Sequence, residues 1–325
     1  MSGALTPKKW ADFVSDFYLD DFIQGGGAAV KFVVVYDIPI ETCSDLVAEA
    51  ALRRNFLVTD IDARNTQIHQ IERVFGSIAS QLPWRELVDE VVSGLVAAEG
   101  WKVPARFDAA DSIVEQLAEL NELGTDMVSM ELRRSIGTGI MSDRRLAKDF
   151  RVAMTRLAVA RLVGGPKEAI DFERVSDWLS ANIGRISVMK DYTIFNKISR
   201  ANARYMLGSL LVWLRMANRP GLVVNIDASR LLETGSRNSG AISYSKAAIL
   251  DAYEVFRQFI DATDEMDGLL INVFVPPEFL DLETTGRGIG RYPALMYRVY
   301  DEIRDRELAN PLSALVRISM KKKTV

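Results

Sequence analysis

Four short runs of apolar, mostly β-branched residues constrain this chain more than any other feature: residues 29–36 (AVKFVVVY), 56–61 (FLVTDI), 222–226 (LVVNI) and 269–275 (LLINVFV). Each is nearly continuous in apolar character instead of alternating, the pattern of a strand buried on both faces, so a parallel sheet covered by helices is expected. Residues 314–319 (ALVRIS) form a weaker fifth run. A helix over 42–54 separates the first two runs, which makes 29–63 read as a βαβ crossover with its helix over one face of the sheet. The fold class expected is α/β.

Between these strands the period changes. From about 67 to 218 apolar residues recur at three- and four-residue steps, in segments at 68–82, 85–98, 110–122, 143–162, 166–181 and 198–216. Breaks fall at 99–108, with Gly100 and Pro104, and at 137–143. The expected organisation is therefore an α/β core made of 1–66 and 219–325, interrupted by a helical insertion at 67–218. Helices over 243–262 and 293–306 and a basic tail at Lys321–Lys323 complete the second part.

Two counts remove whole classes of chemistry. With one histidine, His69, and one cysteine, Cys43, among 325 residues, a disulfide framework, a multi-cysteine cluster and a two-histidine metal centre are excluded. A net charge of −4 argues against bulk electrostatic binding of nucleic acid. Residues 1–10 lack the apolar stretch of a signal peptide and no run approaches the ~18 apolar residues of a membrane span, so a cytoplasmic chain without a membrane partner is expected.

Several segments together resemble the predicted ATP-binding proteins of BREX-type phage-defence islands, which carry a P-loop domain related to AAA+ ATPases. They are GGGAAVKFVVVY at 25–36 with Glu49, Ala51, Leu52, Arg54 and Phe56 after it, IERVFGSIASQL at 71–82, and NARYMLGSLLVWLRMANRPGLVVNID at 202–227. FRQFIDA, MDGLLINVFVPPEFL and RYPAL, within 256–295, extend the likeness to a later helix, a sensor-type strand and an arginine-bearing turn. The resemblance implies a P-loop-type parallel core.

The departures are chemical. A phosphate loop needs G-x-x-x-x-G-K-[ST], its glycines freeing backbone N–H groups, its lysine meeting phosphate and its hydroxyl binding Mg²⁺. Here Val34 and Pro39 stand at the glycine positions, Ile40 at the lysine and Glu41 at the hydroxyl, with Asp37 between them. A carboxylate about 4 Å from a phosphate charge costs on the order of 4 kcal/mol at an effective dielectric near 20. At the second motif Asp227 is kept, but Ala228 follows where the family has the glutamate that activates water. The sequence also ends soon after RYPAL, which leaves little room for a helical lid. No catalytic residue and no cofactor are expected, and the resemblance implies a pseudo-ATPase: a structural or regulatory subunit of a defence or DNA-processing assembly. Its partners would be proteins, an active ATPase or helicase of the same locus among them, with homo-oligomerisation open.

Other residues carry weaker alternatives. Asp37, Asp60, Asp62 and Asp227 all fall at the carboxyl ends of expected strands, where open α/β sheets place ligands. Asp60, Asp62 and Asp227 could hold Mg²⁺ in a nucleotide pocket of rearranged design, with Arg287 or Arg291 on phosphate; carboxylates solvated at a sheet edge explain them equally. Arg287, Arg291 and Arg298 could serve a partner's site or form surface salt bridges. Arg133, Arg134, Arg144, Arg145, Lys148 and Arg151 make the best basic patch, either a DNA contact centred on Arg144 and Arg145 or a solvated face paired with Glu131, Asp143 and Asp149. Gly25, Gly26 and Gly27 precede their strand, so they read as a loop and not as a phosphate cradle. His69 reads as a surface or capping residue and Cys43 as a packing residue.

Overall fold

A computed structural model describes residues 3–108, 111–233, 240–282, 286–300 and 309–321. The chain is α/β and divides into two compact units, one of Met1–Ile78 with Pro220–Val325 and one of Ala79–Arg219. The far ends of the expected 293–306 helix and of the basic tail lie outside the described residues.

The first unit begins with α1 (Pro7–Phe13), whose first turn is closed by the Thr6 side chain accepting from the Lys9 amide, and a π-helical segment, Val14–Ile23. Then come β1 (Ala28–Val35), α2 (Ile40–Leu52), β2 (Leu57–Asp62) and α3 (Ile71–Ser80). The chain returns with β3 (Leu222–Asp227); α10 (Lys246–Asp261), β4 (Leu269–Val275), α11 (Pro293–Tyr300) and β5 (Leu315–Ile318) follow the six helices of the second unit in chain order. All four strand pairings are parallel, in the order β2-β3-β4-β1-β5.

β1 and β2, successive in the chain, are not neighbours: β4 and β3 lie between them. Alternation along the strands then builds two cores. On one face Val33, Val35, Val223, Leu270, Phe274 and Ile318 pack against Trp10, Val14 and Leu19 of the amino-terminal helices and Val47 and Ala51 of α2. On the other, Phe32 stacks on Phe279 with centroids 5.5 Å apart and meets Phe256 of α10 edge-on at 5.8 Å.

A polar row crosses the first of these faces. Lys31, Asn272, Asn225 and Asp60 are successive register partners over four strands. Asn225 donates to Asp60 at 3.0 Å and accepts from Asn272 at 3.0 Å. Lys31 is 3% exposed; its ammonium donates to the carbonyls of Leu312 and Ser313, each at 2.8 Å, and lies 4.6 Å from the Tyr18 ring centroid. These bonds fasten the segment that leads into β5.

The second unit contains α4 (Trp84–Ala98), α5 (Ile113–Asn121), α6 (Thr125–Ile136), α7 (Lys148–Val163), α8 (Pro166–Leu179) and α9 (Ala203–Met216), with short turns at Gly137–Met141 and Ile186–Tyr192. α7 is its axis, with Phe150, Ala153, Met154, Leu157, Ala158 and Leu162 buried around its circumference. The helix starts at Lys148 and not at 143 because the Asp143 side chain accepts from the Arg145 amide at 2.9 Å and so favours a turn. α6 had no strong periodic signal, since TDMVSMELRRSI buries only Val128, Leu132, Ser135 and Ile136.

Candidate functional site

The carboxyl edge of the parallel sheet is where an open α/β fold places its ligands, and the turn between β1 and α2 lies on it. That turn is four residues, Tyr36, Asp37, Ile38 and Pro39. None has a positive φ. Pro39 is the residue before the helix and has no N–H to offer; Ile38 and Ile40 pack against the apolar core, Val34 is fully buried within β1, and Glu41 is exposed. The turn thus lacks the length, the conformational freedom and the cation needed to wrap a polyphosphate.

Asp37 occupies that turn with a different task. Its carboxylate accepts from the Ser319 hydroxyl at 3.0 Å and from the amides of Met320 at 2.9 Å and Lys321 at 3.2 Å. These bonds, the Met320 amide foremost, hold its carboxyl below the usual carboxylate range. The residues that follow β5 are therefore tied to the turn between β1 and α2. On the far side of β5, Leu5 pairs with Ile318 in a parallel bridge.

At the other half of the edge, Asp62 and Asp227 are register partners at the ends of β2 and β3. Each makes a local turn: Asp62 accepts from the Arg64 amide at 2.7 Å and Asp227 from the Ser229 amide at 2.8 Å. Burial pushes the Asp227 carboxyl up, opposed by the Ser229 bonds and assisted by the Asp62 charge. Asp60 is turned to Asn225 instead. Among the described residues no three His, Cys, Asp or Glu side chains form a group able to hold a metal ion.

Ala228 is fully buried and its amide donates to Phe274 O at 2.9 Å.

Sequence reasoning missed the groups that neutralise this edge. Arg64 donates to Glu233 at 2.9 Å, and Glu233 accepts from Arg230 at 2.7 Å. The Tyr244 hydroxyl donates to the carbonyls of Ala63 and Thr66 at 2.9 and 2.6 Å, accepts from the Ile68 amide, and is pushed up to about 12 by burial. His69 meets the Tyr244 ring edge-on, with centroids 5.6 Å apart. No motif marks these residues, because they come together only through the loops that follow β2 and β3.

The arginine-bearing turn divides in the same way. Arg287 donates to Leu231 O at 3.0 Å, and its own carbonyl accepts from the Tyr253 hydroxyl at 2.6 Å. Arg298 is bound to Asp261, while Arg291 is exposed. Beside it, Glu254 accepts from Arg257, Gln258 and Tyr292, and the Arg257 bonds lead in lowering its carboxyl to about 2. A folded value below the unfolded one means stability that is full above about pH 4.5 and lost as the pH falls toward 2. Wild-type thermal midpoints should drop between pH 5 and 2.5 more steeply than those of Glu254→Gln; equal slopes would refute this assignment.

In the second unit, Arg145 forms a bidentate pair with Asp143, Arg134 bonds to Glu131 and Glu99, and Arg144 is exposed. The basic segment is thus partly neutralised by its own acids. Cys43, 1% exposed in the first turn of α2, has its thiol pushed up to about 12 by burial. A disulfide reagent at pH 8 should leave it untouched in the native protein and label it on unfolding, the amplitude at 412 nm being the readout.

The chain matches no family model, no curated protein and no solved structure.

Proposed function

We propose that this chain is a non-catalytic pseudo-ATPase, an AAA+-related P-loop-type core with a helical insertion, acting in the cytoplasm as a structural or regulatory subunit of a prokaryotic defence or DNA-processing assembly. The observation that carries the reading is the Asp37 tie: a four-residue, glycine-free turn whose carboxylate is spent on the end of β5. The sheet order supports a P-loop-type ancestry, since β4, the strand resembling a sensor strand, separates the strand before that turn from the strand ending in Asp227. Buried Ala228 at the water-activating position supports the absence of hydrolysis. The resemblance of residues 25–36, 71–82, 202–227 and 256–295 supplies the biological setting, with an active ATPase or helicase of the same locus as partner.

A second reading, nucleotide in a pocket of rearranged design, draws on Asp62 and Asp227 lying side by side. Thermal unfolding with and without millimolar MgATP separates the two. Ligand at about 100 times its dissociation constant adds roughly 2.7 kcal/mol, a rise of at least about 2 °C for a chain of this size. No rise is expected. A Mg²⁺-dependent rise that Asp227→Asn abolishes would overturn the pseudo-ATPase reading; one that Asp227→Asn leaves in place arises elsewhere in the chain.

A further inference from the structure

The second unit holds a cleft of about 490 Å³ that no motif announced. Its floor is α7 at Val159, Ala160 and Val163, and its walls carry Arg133 of α6, Arg156 of α7, and Lys167 and Arg174 of α8. This volume lies within the range of small-molecule sites, roughly 300–1,000 Å³. Its walls are strongly but not uniformly charged.

Three carboxylates also line the cleft, Glu168, Asp171 and Asp191. Asp171 accepts the Tyr192 hydroxyl at 2.5 Å, and that hydroxyl accepts from Arg174 at 3.4 Å, so this pair is largely satisfied at one end. Arg156 donates to the Tyr192 carbonyl at 3.3 Å and Arg133 to the Ser129 hydroxyl at 3.5 Å. Among the described residues no ion pair holds Arg133, Arg156 or Lys167. Three cations from three helices therefore converge on one apolar floor without carboxylate partners of their own.

We propose that this cleft binds a small organic phosphate or pyrophosphate. A tetrahedral anion accepts donors from several sides at once, which suits cations arriving from three helices, and two of the three are arginines, whose planar forks bond phosphate oxygens in pairs. The valines would cover the short apolar part of the ligand. With four cations (Arg133, Arg156, Lys167 and Arg174) and three carboxylates (Glu168, Asp171 and Asp191) the lining carries a net charge of only +1, so a single small anion is favoured over an extended nucleic-acid strand.

Calorimetric titration of the full chain with sodium pyrophosphate at low salt tests this. Saturable one-site binding with a dissociation constant below about 1 mM is expected. The double variant Arg156→Gln, Lys167→Gln should weaken it at least tenfold with an unchanged thermal midpoint, and Arg144→Gln, outside the cleft, should leave it intact. Absence of saturable heat up to 10 mM, or an unchanged constant in the double variant, would overturn the proposal. Citrate binding as tightly as pyrophosphate would overturn the phosphate class. Asp227→Asn should leave pyrophosphate binding intact, which separates this cleft from any nucleotide effect at the sheet edge.

Discussion

Replacing Arg161 by alanine is expected to destabilise the second unit by about 3–5 kcal/mol. Arg161 lies on α7 with its side chain 4% exposed, and its fork meets both oxygens of Asp89 on α4 at 2.8 and 2.9 Å. A further bond at 3.2 Å reaches the Asp108 carbonyl. Removing the guanidinium strands a carboxylate that is itself only 17% exposed, and an unpaired buried charge is far more costly than the pair was favourable. The double replacement Arg161→Met, Asp89→Leu removes both charges together and should recover most of the loss. Urea unfolding of the wild type and the two variants measures both effects. A loss below about 1 kcal/mol for Arg161→Ala would show that solvent reaches Asp89 and that the pair is a surface one.

The second large effect is expected at Gly221, where the chain enters β3. Its φ is +156°, and a Cβ there would stand 2.2 Å from the Gly268 carbonyl oxygen. That oxygen accepts from the Leu222 amide at 2.8 Å, and the Gly221 carbonyl accepts from the Leu57 amide at 3.1 Å. The clash therefore falls on the point where β2, β3 and β4 begin their pairing. Gly221→Ala should lower stability by about 3 kcal/mol or more, through overpacking against backbone in a conformation that side chains disfavour. Circular dichroism at rising urea gives the number. A near-neutral variant would mean that the start of β4 can move aside without loosening the sheet.

The strands were legible because their chemistry is local. Val33 and Val35 face one way and Phe32 and Val34 the other, and both sets are buried, so the run reads as apolar throughout. That no G-x-x-x-x-G-K-[ST] pattern follows β1 is legible for the same reason: glycine, lysine and hydroxyl would stand at fixed spacing, and Val34, Pro39, Ile40 and Glu41 stand there instead. Helix starts were less legible. At Asp143 and Asn202 short polar side chains bond nearby amides, which delays the helices to Lys148 and Ala203. α6 escaped because a helix with few buried residues leaves little apolar period to detect.

What the sequence by itself determined is therefore the α/β class and the buried strands, both set by residue type and spacing within about ten positions. Tertiary structure alone decided the strand order, the burial of Lys31 beneath the segment before β5, the use of Asp37 as a tie for Ser319 and Lys321, and the gathering of Arg133, Arg156 and Lys167 around one cleft. The physical reason is distance along the chain. Lys31 and Ser313 are 282 positions apart and Asp37 and Lys321 are 284, so no local pattern encodes their meeting. Only the closure of the sheet, with β1 placed between β4 and β5, brings these pairs within hydrogen-bonding reach.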